Sequence, residues 1–255
     1  MQQRSRRTTR LVDLAMIEQF MRDEWRFLTF RSMSPAVREH ATTYLAFGLF
    51  FTWLAGVGRY WDNPRADPWQ YLGLGSVAYV FVLALIIWGL VAPLRPRNWS
   101  YRNVLLFITL TAPPAILYAI PVERFMTSDS AVLANIWFLA VVATWRVALY
   151  VAFLRRTAGL SFSAVVVSTL LPLTIIVVAL TALNLEHVVF EIMGGIRDVD
   201  KSVNDGAYTV VVVLSLLSVF LAPVVAIAYA ILVYLARRGA KPAVHADAAA
   251  PRRST

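Results

Sequence analysis

The chain contains no cysteine, only 2 lysines and 3 histidines, and these shortages exclude several classes of function. Without cysteine there can be no disulfide, thiolate zinc site, cysteine nucleophile or cysteine-ligated cluster. The sequence also lacks the P-loop, dinucleotide-binding, serine-hydrolase and zinc-protease motifs. It therefore identifies no substrate and no reaction, and we expect neither a cofactor nor a metal ion.

Apolar residues are what the chain has in excess. They make up 59% of the 255 residues, with a mean hydropathy of +0.63, whereas soluble domains contain about 45 to 50%. Six segments reach the roughly 20 residues that a helix needs to cross a hydrocarbon core of about 30 Å. They are Ala41–Gly58, Tyr71–Ala92, Asn103–Val122, Ala131–Leu154, Leu160–Leu185 and Ala207–Ala236. We predict an all-α, polytopic membrane helix bundle with six transmembrane helices.

The transmembrane domain then occupies residues 41–236, between a basic, amphipathic cytoplasmic segment at 1–40 and a disordered basic cytoplasmic tail at 237–255. The distribution of Lys and Arg predicts the orientation. Eighteen of the 24 lie before the first segment, after the second, after the fourth and in the tail, and only five lie in the alternate loops. Basic loops stay cytoplasmic, so both termini are predicted to be cytoplasmic. The Arg-, Ala- and Val-rich composition favours a bacterial inner membrane, and in such a protein the net charge of +9 does not indicate nucleic acid.

The N-terminal segment contains a predicted surface helix. Its apolar residues fall within an arc of about 80° at 100° per residue. They are Leu14, Ile17, Met21, Trp25 and Leu28. We expect this face to lie on the cytoplasmic leaflet, with the neighbouring arginines near anionic lipid. The alternative is a helix that packs against a partner protein.

Arg146 is the charged residue within the six apolar segments. The next charge along the chain is Arg155, about 13 Å further along a helix. A cation at this depth costs a few kcal/mol, so it should face protein or trapped water. Asn135 and Tyr150 lie within about 60° of it on the same helix, which predicts a sparse polar stripe.

Pro113 and Pro114 are the predicted partners of that stripe. A proline cannot donate a backbone hydrogen bond, and in an α-helix this frees carbonyls about four residues earlier, near Thr109 and Leu110. Arg146 should lie at a similar depth and could bind these carbonyls. We expect a structural role, with a binding site for an anion or a lipid headgroup as the alternative.

A second polar region is predicted at the periplasmic rim. Arg59 and Asp62 follow the first segment, and Glu123 and Arg124 follow the third. Glu123 could pair with Arg59, or Asp62 with Arg124, at a partly dehydrated depth. Glu186, His187 and Glu191 form a weaker cluster, which we interpret as a solvated helix end instead of a metal site.

Three functions remain open on this evidence. The first is a non-enzymatic membrane organiser or assembly partner, which could bind another membrane protein or form a homo-oligomer. The second is a small permease or channel-like protein with its pathway around Arg146. The third is a lipid-modifying enzyme, which would need interfacial groups such as Asp62, Glu123, His187 and Glu191.

Overall fold

The computed structural model describes residues 2–32, 34, 36–61, 68–182 and 206–238, and every regular element in these ranges is helical. The α-helices are α1 (Gln2–Leu28), α2 (Ala36–Glu39), α3 (Ala41–Tyr60), α4 (Pro68–Tyr71), α5 (Leu74–Val91), α6 (Tyr101–Leu110), α7 (Ser128–Arg156), α8 (Phe162–Ala182) and α9 (Gly206–Arg238). Three 3₁₀ helices cover Ala92–Leu94, Pro113–Ala119 and Val122–Arg124.

Five of these helices are long and apolar enough to cross a membrane. They are α3, α5, α7, α8 and α9, and each overlaps one of the apolar segments of the sequence over most of its length. A sixth span results if α6 and the 3₁₀ helix Pro113–Ala119 are taken together. The described residues therefore form an all-helical bundle with five or six helices suited to a bilayer. Arg237 and Arg238, the first two residues of the predicted disordered tail, belong instead to the last turn of α9. The rest of that tail, 239–255, lies outside the described ranges.

The segment Asn103–Val122 is not one continuous helix. α6 ends at Leu110, and the 3₁₀ helix that begins at Pro113 is bent by 42° from it. Two consecutive prolines remove two successive backbone donors, so the α-helical hydrogen bonds cannot continue past them. The chain resumes as a 3₁₀ helix, in which Ala115 N donates to Ala112 O at 2.9 Å.

The broken helix runs parallel to α3 and packs closely against it. A Cβ atom on Gly48 would lie 2.5 Å from Thr109 Oγ1, and one on Gly58 would lie 2.8 Å from the Cβ of Ala119. The second contact lies ten residues after the first in α3 and also ten residues after it in the broken helix. The two segments therefore run in the same direction. Small residues let helix backbones approach in this way in membrane proteins.

Hydrogen bonds from arginines join several segments at one end of the bundle. Arg102 donates to Thr42 Oγ1 at 2.7 Å, Arg156 donates to the carbonyl of Phe30, and the backbone N of Arg97 donates to Ala158 O at 2.9 Å. These bonds join the segment after α1 to α7, the start of α3 to α6, and the turn before α6 to the turn after α7.

The second half of α1 packs into the bundle. The ring of Phe20 lies 4.6 Å from that of Phe47 in α3, and Phe27 contacts Phe107 in α6 edge-on at 5.8 Å. Trp145 Nε1 of α7 donates to Leu28 O at 2.9 Å. This part of α1 is therefore a component of the core and not a detached surface helix.

The face of α1 that packs differs from the one that the sequence predicts. Ile17, Met21 and Trp25 are exposed, with Trp25 at 66%. The buried face contains Phe20, Asp23, Glu24 and Phe27, and lies roughly 110° around the helix at about 100° per residue. α1 consequently has three faces: one packed on the bundle, one apolar and exposed, and one charged, with an Arg22–Glu18 ion pair at 2.7 Å.

Candidate functional site

Arg146 contacts the break in the third helical segment. Its Nε donates to the carbonyl of Thr111 at 2.9 Å. Thr111 is buried between the end of α6 and the two prolines. A guanidinium that binds an unpaired carbonyl satisfies that carbonyl and its own donor inside the bundle.

The carbonyl that Arg146 contacts is not one of the two that the sequence predicts. The prediction assumed α-helical bonding, in which a missing donor frees the carbonyl four residues earlier. In a 3₁₀ helix the acceptor is three residues earlier, so Pro114 frees Thr111 O. The carbonyl of Thr109 accepts from Ala112 N at 3.1 Å instead, and the Thr109 hydroxyl donates to Leu106 O.

The other members of the predicted stripe do not share this contact. Tyr150 is buried and its hydroxyl donates to Ser168 O of α8 at 3.3 Å. Asn135 is eleven residues before Arg146 in α7, which places it about 16 Å away along the helix axis. Arg146, Thr111, Pro113 and Pro114 therefore form one locus, and Tyr150 and Asn135 lie elsewhere on α7.

At the opposite end of the bundle, Arg124 lies over the ring of Trp61 with its Cζ 5.0 Å from the ring centre. Trp61 Nε1 in turn donates to Ala119 O at 3.0 Å. This cation–π contact joins the end of α3 to the end of the third segment. The ion pairs predicted for Arg59, Asp62 and Glu123 involve side chains outside the part of the chain that the structure describes.

Sequence reasoning missed a pair of buried acids in α1. Asp23 is 2% exposed and accepts from Tyr44 Oη at 2.6 Å and from Ser34 Oγ at 2.7 Å. Burial acts to raise its pKa, but the bonds from Ser34 and Tyr44, together with Arg26, hold the pKa below its ordinary value. Asp23 thus joins α1 to α3 as a carboxylate.

Glu24 is the next residue and its environment is the opposite. It is 5% exposed, and within the described ranges neither of its carboxylate oxygens has a hydrogen-bond partner. Burial raises the pKa of Glu24 to about 8. A signal for its burial is present in the sequence, because Phe20 lies four residues before Glu24 and Phe27 three residues after it, on the same helix face. The predicted apolar arc does not include this face.

An open apolar groove of about 510 Å³ lies between α1 and α3. Ile17, Phe20 and Met21 line it from α1, and the facing wall of α3 is formed by Thr43, Ala46, Phe47, Phe50 and Phe51. The exposed apolar face of α1 thus forms one side of a groove that no described residue fills.

No group of three or more potential metal ligands occurs among the described residues. The cluster Glu186, His187 and Glu191 lies outside them. Comparison with protein-family models, with curated proteins and with solved structures found no match.

Proposed function

We propose that this chain is a non-enzymatic membrane organiser that binds an anionic phospholipid, with one acyl chain in the groove between α1 and α3. The observation that carries the proposal is the groove itself, because its wall on α3 belongs to a helix suited to the bilayer. Thr43 to Phe51 lie within Ala41–Gly58, the first candidate span.

The depth of the groove favours an acyl chain as its occupant. A groove that opens into hydrocarbon is in contact with lipid tails, so an acyl chain can fill it by van der Waals packing without leaving an apolar environment. The groove volume of about 510 Å³ falls within the range of roughly 300 to 1,000 Å³ typical of small-molecule sites. Its lining contains no charged side chain.

The charges around the groove favour an anionic headgroup. Arg102 bonds to Thr42, next to Thr43 of the groove wall, and Arg38 is exposed one turn earlier. Arg22 and Arg26 lie on the neighbouring charged face of α1. Each basic residue near a lipid surface contributes about 1 kcal/mol to binding anionic lipid.

Lipid retention tests this function directly. Native mass spectrometry of the protein, extracted in mild detergent, should detect one retained phospholipid with a preference for an anionic headgroup. Ala46→Trp fills the groove and should lower the retained fraction about tenfold or more, since an indole occupies the space of the acyl chain. Ala140→Trp, at an exposed position on α7, is the matched control and should retain lipid as the unmodified chain does.

Two outcomes would contradict the lipid site: no retained phospholipid on the unmodified protein, or equal retention by the Ala46→Trp and Ala140→Trp variants. A stoichiometric water-soluble small molecule in the same preparation would favour the permease. The 42° break beside Arg146 supports that second candidate, because transporters build substrate sites at broken helices. The lipid-modifying enzyme would depend on residues that are largely outside the described ranges.

The proposal includes six spans, with both termini cytoplasmic in a bacterial inner membrane. The arginines that fasten one end of the bundle support it, because basic residues stay on the cytoplasmic side. The absence of cysteine permits a direct test. A membrane-impermeant maleimide should label Met126→Cys and not Ser163→Cys in intact cells, both positions being exposed and at opposite ends. Labelling of Ser163→Cys alone would show that the protein has the opposite orientation.

A further inference from the structure

Two adjacent carboxyl groups on the buried face of α1 have opposite surroundings. Asp23 receives hydrogen bonds from Ser34 and Tyr44, which stabilise its charged form. Glu24 receives none within the described ranges, although it is nearly as buried. When two neighbouring acids differ in this way, one is held ionised and the other is held protonated.

On its own helix face Glu24 lies between two phenylalanines that pack on aromatic rings of the bundle. Phe20, one turn before it, contacts three aromatic rings of α3, and Phe27, one turn after it, contacts Phe107 of α6. An ionised carboxylate in such a place would lose its hydration without gaining a partner. Burial is accordingly the cause of its raised pKa, with no contribution from a neighbouring charge.

On the elements that pack against this half of α1, Arg155 of α7 is exposed. The other titratable and charged groups whose side chains the structure describes there have bonds to other atoms. They are Tyr44 of α3 with Asp23, Arg102 of α6 with Thr42, Tyr101 of α6 with Phe81 O, Arg146 of α7 with Thr111 O, Tyr150 of α7 with Ser168 O, and Arg156 of α7 with Phe30 O. Arg26, on α1 itself, lies 4.0 Å from Asp23.

We infer that Glu24 is a proton-binding site that controls the docking of α1 on the bundle. With the proton bound, the neutral side chain packs beside Phe20 and Phe27 and α1 stays docked. When the proton leaves, the carboxylate is stabilised only by reaching water, so that the second half of α1 separates from α3, α6 and α7. This inference concerns α1 docking and holds whether or not the groove binds lipid.

The direction of the pH dependence follows from the raised pKa. In the undocked state Glu24 is in water and has its ordinary pKa of 4.5, and in the docked state burial raises the pKa to about 8. Docking is strongest below the lower pKa. Between the two values the undocked state releases a proton that the docked state retains, so docking weakens by up to about tenfold per pH unit. Above about pH 8 both states are ionised, so docking is at its weakest and no longer changes with pH through this site.

Hydrogen exchange of the α1 amides between Phe20 and Leu28 measures this docking, because an amide exchanges when the helix opens. Glu24→Gln cannot ionise, so its docking should not depend on pH through this site. The protection of Glu24→Gln relative to the unmodified chain, at matched pH, should rise about 100-fold from pH 5.5 to 7.5. All other groups, including the exposed His40, are common to both proteins and cancel in this ratio.

Glu18→Gln is the matched control, since Glu18 is an exposed acid on the same helix. Its relative protection should stay constant over the same pH range. A constant ratio for Glu24→Gln as well would overturn the inference.

Infrared spectroscopy provides a readout that does not depend on the folding of Glu24→Gln. The unmodified protein and Glu18→Gln should show a protonated carboxyl band at pH 7 that disappears with a midpoint near pH 8. Glu24→Asp keeps a carboxyl group in a shorter side chain and should shift the band or its midpoint. If no protonated carboxyl is present at pH 7, or if Glu24→Asp leaves the band unchanged, Glu24 is not the proton site.

Discussion

Arg146 binds the carbonyl that a proline leaves without a donor, and this bond gives a cation within an apolar helix a hydrogen-bond partner inside the bundle. The side chain is partly buried and reaches from the middle of α7 to the end of α6. The polar stripe predicted along α7 is therefore not one site, because Tyr150 bonds to α8. At this scale the contact is better explained as internal hydrogen bonding than as an open anion site.

Replacing Arg146 tests this interpretation. Arg146→Leu leaves Thr111 O without its donor inside the bundle, and the unfolding free energy should fall by about 1 to 3 kcal/mol. The measurement is the thermal unfolding midpoint in detergent, together with the amount of protein in the membrane. Arg155→Leu, at an exposed position in the last turn of α7, is the control and should unfold nearly as the unmodified chain does. Equal midpoints for the two variants would contradict a structural role for Arg146.

The parallel contact between α3 and α6 depends on the absence of a side chain at Gly48. A Cβ there would lie 2.5 Å from Thr109 Oγ1 and 2.7 Å from Thr109 Cβ. Thr109 is fully buried and its hydroxyl is bonded to Leu106 O, so its side chain has little freedom to move away. This close approach keeps the broken third segment against α3.

Gly48→Ala should therefore separate the two helices. We expect a loss of about 1 to 3 kcal/mol in unfolding free energy, the usual effect of overpacking. Gly89→Ala in α5 is the matched control, because a Cβ at that position has no atom within 4 Å. It should be neutral or stabilising by up to about 1 kcal/mol, since alanine is the better helix former. If both variants unfold at the same temperature, the close contact does not contribute to stability.

Five of the six apolar segments were predictable as helices because their length and lack of charge leave few alternatives. The third was predictable as interrupted, since two adjacent prolines are visible in the sequence, but the 3₁₀ register that makes Thr111 O the acceptor was not. The prediction of which face of α1 packs on the bundle was wrong for a different reason. The arc was chosen from apolar residues alone, whereas Asp23 is buried through its bonds to Ser34 and Tyr44, contacts that helical periodicity does not reveal.

On the scale of the whole molecule, the basic end of the bundle is also where its segments are joined. Arg102 and Arg156 each bond across to a different part of the chain, and the turn at Arg97 bonds to the turn at Ala158. The side chains of Arg102 and Arg156 and the backbone of Arg97 thus hold helices and turns together at this end. The groove and the buried acids of α1 lie beside this end.

The contact between Leu28 and Trp145 also sets the order in which the protein can assemble on the ribosome. The two residues are 117 positions apart, so at about 5 to 20 residues per second Trp145 is synthesised roughly 6 to 23 seconds after Leu28. Until then α1 lacks its partner in α7, although Ser34 and Tyr44, the partners of Asp23, have already been synthesised. α1 therefore completes its native contacts only after Trp145 of α7 has been made, and for those seconds the nascent chain exposes part of an apolar and charged helix to lipid and to chaperones.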